Sequence, residues 1–183
     1  MPAALTWLRP SPVSPLAVHA TDGPWFAGAR FDGLLQPTTD GGLAAADLLA
    51  SPDGRATALS GSMPPGTVVA RLSAVWIHTG RHRPERLALL VAPTEPRGRH
   101  HGSIHRQRYD PADVTHIGTV PVTTPLRTAV DLLCFDSAPR AGPAVGALIR
   151  GGLDPAAILA QLADPRRRLP VARARRRLAA VRV

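Results

Sequence analysis

The chain has 183 residues, 44% of them hydrophobic, enough to bury a single core without metals or disulfides. Its one cysteine, Cys134, excludes an internal disulfide, and no run approaches the ~20 apolar residues of a membrane span. The net charge of +9 favours an acidic partner, either nucleic acid or a protein surface.

The charge is uneven. Residues 1–70 hold three arginines (Arg9, Arg30, Arg55) against five aspartates, whereas the remainder holds 19 arginines against eight acids. Lysine and asparagine are absent, as a GC-rich coding sequence would produce. Codon bias accounts for arginine in place of lysine but not for the excess of cations, because Asp and Glu also have GC-rich codons.

In chain order, Met1–Ala20 lacks a basic start, and Pro10, Pro12 and Pro15 interrupt any apolar core, which argues against a signal peptide. Residues 1–66 read as a Pro/Gly-rich appendage with one helix at Leu43–Ala50. The breaker cluster Ser60–Gly66 separates it from a domain at 67–183. Val68, Leu72, Val75 and Trp76 have helical spacing, so a helix is expected over Val68–His78. Arg86–Ala92 reads as a buried strand, Gly102–Gln107 as a second, and a third short strand centres on Ile117–Val120 within Thr115–Val122. Thr124-Pro125 starts a helix with Leu126, Ala129, Val130 and Leu133 on one face. A helix near Gly142–Arg150 ends at Gly151-Gly152. Asp154-Pro155 opens the next, with Ile158, Leu159 and Leu162 expected buried. Asp164-Pro165 opens a fourth, running to Val181 with a break at Pro170. The fold class is α+β: a small mixed or antiparallel sheet followed by three or four helices.

Three stretches carry a resemblance to a known family. They are Leu72-Ser73-Ala74-Val75-Trp76-Ile77-His78; Ile104-His105-Arg106 with Tyr109-Asp110-Pro111-Ala112-Asp113-Val114; and, most specific, Gly118-Thr119-Val120-Pro121-Val122-Thr123-Thr124-Pro125-Leu126-Arg127-Thr128-Ala129-Val130-Asp131-Leu132. Together they resemble the core domain of AbiEi-type antitoxins, the antitoxin halves of type IV toxin–antitoxin systems, widespread in actinobacteria. The resemblance covers Thr67–Val181. It implies a cytoplasmic, non-catalytic antitoxin or transcriptional regulator that binds operon promoter DNA and counteracts a nucleotidyltransferase-like toxin. Residues 1–66 show no convincing winged helix-turn-helix, with which such antitoxins commonly begin. The sequence stops at Val183, where many relatives continue into a restriction-endonuclease-like domain.

The candidate nucleic-acid contacts are arginines, because a guanidinium grips phosphate oxygens in a fork. One set is Arg166, Arg167, Arg168, Arg173, Arg175, Arg176 and Arg177, with Arg182 in the same basic stretch. On a helix, Arg166, Arg173 and Arg177 fall near one face, and Arg168 and Arg175 near another. The opposing reading is a solvated helix face. A second set, Arg81, Arg83, Arg97, Arg99, Arg106 and Arg108, flanks the expected strands and could converge on one edge or face of the sheet. Arg127 either holds an anion at a helix start or, as the preferred reading, pairs with Asp131 four residues on to lock helix to sheet.

Enzyme chemistry finds little purchase. His101 and His105 lie four apart in a segment with strand and glycine signals, which argues against a metal. There is no lysine for a restriction-type nuclease, no Gly-x-Ser-x-Gly, and no phosphate-cradling Gly-x-x-x-x-Gly-Lys. Gly61-Ser62 lacks the downstream Asp-x-Asp pair of a nucleotidyltransferase. Cys134, beside Leu133 and Phe135, reads as a core thiol with a raised pKa. No cofactor is expected. The competing hypothesis is a protein–protein interaction module without DNA binding, favoured by the missing winged helix.

Overall fold

The computed structural model describes residues 24–39, 42–93, 102–165 and 169–182. The readings made on Met1–Ala20, His101, Arg97, Arg99 and Arg166–Arg168 lie outside them.

Helix α1 (Pro24–Phe31) leads into a two-stranded hairpin, β1 (Leu35–Pro37) with β2 (Leu43–Ala45), and a short 3-10 turn at Leu48–Ala50. The helix expected at Leu43–Ala50 is therefore corrected: that run is a strand and a turn, and helix α2 occupies Pro52–Ser60. The start signal is Ser51-Pro52. The Ser51 hydroxyl accepts from the Gly54 amide at 3.0 Å and proline takes the first helical position, so the helix begins after the apolar run and not within it. Glycine is required at 54 because a Cβ there would collide with the Leu48 carbonyl.

Strand β3 (Val68–Val69) precedes α3 (Arg71–Thr79), so the expected helix from Val68 starts three residues late. The two valines are taken by the sheet instead, Val68 opposite Leu90 and Val69 opposite Val122. β4 (Ala88–Val91) is buried along its whole length, as a continuous apolar run implies. β5 (Ser103–Arg106) lies parallel to it at the sheet edge. The single strand expected around Ile117–Val120 is in fact a hairpin, β6 (Val114–Ile117) and β7 (Val120–Thr123). Gly118, at φ 57°, makes the turn at the centre of the expected strand. The five strands form one mixed sheet in the order β5-β4-β3-β7-β6.

Four helices follow: α4 (Pro125–Phe135), α5 (Ala138–Arg150), α6 (Pro155–Ala163) and α7 (Val171–Ala179). The fold is α+β, with seven α-helices and two sheets among the described residues. The Thr124 hydroxyl caps α4 by accepting from the Arg127 amide at 3.2 Å, and Asp154 caps α6 through the Ala156 amide at 2.8 Å. On α6, Ile158 and Leu162 are buried but Leu159 is 44% exposed, which corrects the expectation for that residue. α7 begins only after Pro170.

Helix α3 sits between two cores. Ala74, Trp76 and Ile77 join Leu89, Val120 and Val122 of the sheet with Ala56 and Leu59 of α2. Val75 joins Val130, Leu133, Val145, Ile158 and Leu162 of the following helices. Ala44, Leu49, Ala56 and Leu59, all from residues before 67, share the first of these cores. Among the described residues no helix is long and apolar enough to cross a membrane.

Arg55 ties α2 to α3. Its guanidinium is buried and donates to the carbonyls of Ile77, Leu49 and Ala50 at 2.8 to 3.1 Å. These oxygens sit at the C-terminal ends of α3 and the 3-10 turn, where the helix dipole is negative. Gly80 closes α3 at φ 71°, and a Cβ there would stand 3.3 Å from Arg55 Nη1. Gly80→Ala is thus expected to lower stability in urea denaturation by about 1–2 kcal/mol from the left-handed backbone.

Candidate nucleic-acid interface

The arginines expected to act together have different fates. Arg127 leaves the surface entirely, with 5% of it exposed. Its Nε donates to Asp131 Oδ2 at 2.9 Å, its Nη1 to Asp113 Oδ2 at 2.8 Å, and both Nη atoms reach the Arg108 carbonyl at 3.3 Å. As a nucleic-acid contact Arg127 is corrected: its donors are spent on two buried carboxylates. Asp113 meanwhile accepts from the Asp110 amide at 3.0 Å and closes the short 3-10 turn Pro111–Asp113 before β6. Burial pushes the Asp131 carboxyl above its ordinary pKa, and the facing Arg127 opposes that shift. The Thr-Thr-Pro-x-Arg-Thr stretch is structural throughout: beyond the Thr124 cap, the Thr123 and Thr128 hydroxyls bond each other at 2.7 Å.

The second basic set does not converge as a group. Arg83 is exposed and donates to the Pro37 carbonyl at 2.6 Å. It lines a groove of about 640 Å³ together with Arg71, Arg86 and Arg140. Arg81, Arg106 and Arg108 do not line that groove; Arg106 lies half-buried on β5, and Arg108 meets Arg127 through its carbonyl. Arg71 is paired with Asp136 at 3.0 Å and lies over the Phe135 ring, 5.6 Å from its centre.

The C-terminal set comes closest to an open cationic surface. Arg173, Arg176 and Arg177 sit at i, i+3 and i+4 on α7 and line a second groove of about 640 Å³. Arg150 from the end of α5 and Arg182 beyond α7 complete it, and none of its lining residues is acidic. Arg177 is partly committed, donating to the Leu133 carbonyl at 2.7 Å. Arg175 is exposed but lies outside this groove, so α7 offers one grooved face and not two. Ala174 is fully buried and anchors the helix. Arg140 and Arg150 were missed in the sequence because each stands alone, five or more residues from another arginine, and only the fold brings Arg150 to α7.

Among the described residues no three His, Cys, Asp or Glu side chains gather as a metal site would require. Cys134 is buried, and burial, with Asp131 adding to it, pushes its thiol up to about 11. His78 donates from Nε2 to the Thr123 carbonyl at 2.8 Å, and burial lowers its pKa.

No protein-family model matches the chain, nor does any curated protein or solved structure.

The buried triad gives a direct test. Arg127→Met removes the cation that both Asp113 and Asp131 contact directly, and thermal or urea unfolding should report a loss of about 3–5 kcal/mol, as for other broken buried pairs. A loss under about 1 kcal/mol, the range of exposed pairs, would show that the triad is solvated.

Proposed function

We propose that this chain is a non-catalytic, DNA-binding regulator of the antitoxin kind that its sequence resembles. It grips the phosphate backbone with the arginines of α5 and α7. The observation that carries the reading is the acid-free groove formed by Arg150, Arg173, Arg176, Arg177 and Arg182. A polyanion entering it meets guanidinium groups with no carboxylate to repel it, and bound cations are released from the DNA as it docks.

The contact is to backbone, not to base edges. The groove supplies no amide or aromatic side chain to read bases, so the affinity is dominated by phosphate and is weakly dependent on sequence. The working compartment is then the cytoplasm, where operon DNA lies. Counteracting a nucleotidyltransferase-like toxin follows from the family resemblance and needs no contact between the two proteins in a type IV system.

In gel shifts over a range of salt, affinity for a short duplex should fall steeply as salt rises. The double variant Arg173→Gln/Arg176→Gln should flatten the slope of log K against log salt by about two units. An affinity indifferent to salt, or a slope unchanged in the variant, would remove the DNA reading and favour a protein partner.

A further inference from the structure

The groove lined by Arg71, Arg83, Arg86 and Arg140 differs in kind from the one on α7. Among the described residues only two other than glycine adopt positive φ, Arg71 at 50° and His82 at 57°, and both line this groove. Backbone held in the left-handed region at a residue with a side chain is strained, and such strain concentrates where a site needs a particular side-chain placement. The strain at Arg71 delivers a guanidinium that is about nine-tenths buried, fixed by Asp136 on one side and the Phe135 ring on the other. Buried and pre-positioned, it loses little freedom on meeting an anion.

Around this anchor two cations are uncommitted. Arg86 and Arg140 are exposed and make no ion pair or side-chain hydrogen bond among the described residues. His105 also lines the groove, its Nε2 3.3 Å from the Ser103 hydroxyl. Burial, reinforced by the charge of Arg71, lowers its pKa to about 4, so at neutral pH it offers a neutral imidazole able to donate or accept. Leu72, Pro84, Ala88, Pro139 and Pro143 give rigid apolar wall, and the volume falls in the range of small-molecule sites.

The carboxylates decide the ligand class. Two line the groove: Asp136, already neutralised by Arg71, and Glu85, which makes no ion pair among the described residues, whereas no described residue lining the α7 groove is acidic. A continuous phosphate backbone would be repelled by Glu85. A compact molecule with its charge at one end and hydroxyl groups at the other satisfies both. We propose that this groove binds a small hydroxylated phosphate monoester, of sugar-phosphate type, with its phosphate held by Arg71 and Arg140 and a hydroxyl donating to Glu85. The site does not depend on DNA binding, although Pro139 and Pro143 form a wall common to both grooves.

The test is titration of the full chain with glucose 6-phosphate, glucose and inorganic phosphate, read by calorimetry and by the NMR signal of the His105 ring. Glucose 6-phosphate should shift that signal and bind more tightly than inorganic phosphate, while glucose should do neither. Arg140→Gln, an exposed change that leaves the fold alone, should weaken glucose 6-phosphate binding about tenfold or more, the loss of one charge-assisted contact. Glu85→Gln should narrow the preference for glucose 6-phosphate over inorganic phosphate. Arg173→Gln/Arg176→Gln should leave both intact, which separates this site from the DNA groove. An undisturbed His105 signal at millimolar glucose 6-phosphate, or equal weakening by the Arg140 and the Arg173/Arg176 changes, overturns the proposal.

Discussion

The arrangement of this molecule depends on one guanidinium shared by two carboxylates. Arg127 enters from the first turn of α4 and meets Asp131 on its own helix and Asp113 at the turn that begins β6. The group is almost completely buried, and Arg127 is the cation in direct contact with both acids that offsets the solvation they lost. Because Asp113 also accepts from the Asp110 amide and its carbonyl accepts from the Thr124 amide, the triad fixes the β6–β7 hairpin to the start of α4. The geometry that carries α4, α5 and α7 away from the sheet follows from that joint.

The triad also shapes the outside. Residues 71–183 hold only eight acids, and two of them are drawn inside by a single arginine. Asp136 is spent on Arg71. What is left at the surface is richer in cations than the sequence balance alone implies. On α5 and α7 that excess is undiluted, since neither helix contains an Asp or Glu. The same economy sets apart the two grooves: among the described residues that line them, the charges of one are all arginines, whereas the other keeps Glu85 and Asp136.

Much of the fold was legible wherever a cap and a period agreed. Thr124-Pro125 and Asp154-Pro155 each announce a helix, and the buried faces of α4 and α5 repeat at helical spacing. The errors came where short apolar runs are decided by distant partners. Val68-Val69 suits a helix locally, but its neighbours in the sheet are Leu90 and Val122. Leu43–Ala50 suits a helix until the hairpin takes its first half and the Ser51 cap moves the helix start beyond it. The site was harder to read. Arginine clusters in the chain mark high local charge, but Arg127 is buried, Arg106 and Arg108 line neither groove, and Arg150 joins α7 only through helix packing. Arg55, whose guanidinium is fully engaged by carbonyls, carried no signal at all, because no acid lies at a helical spacing from it to suggest a pairing.

A polyanion is proposed to meet this molecule on the α5–α7 face. The most direct measurement is backbone amide NMR of the isotopically labelled chain titrated with a short DNA duplex. Shifts gathered in residues 138–150 and 171–182, with the β6–β7 hairpin and the Arg127 amide unmoved, are the predicted result. Shifts centred on the sheet, or spread evenly over every exposed arginine, would contradict it.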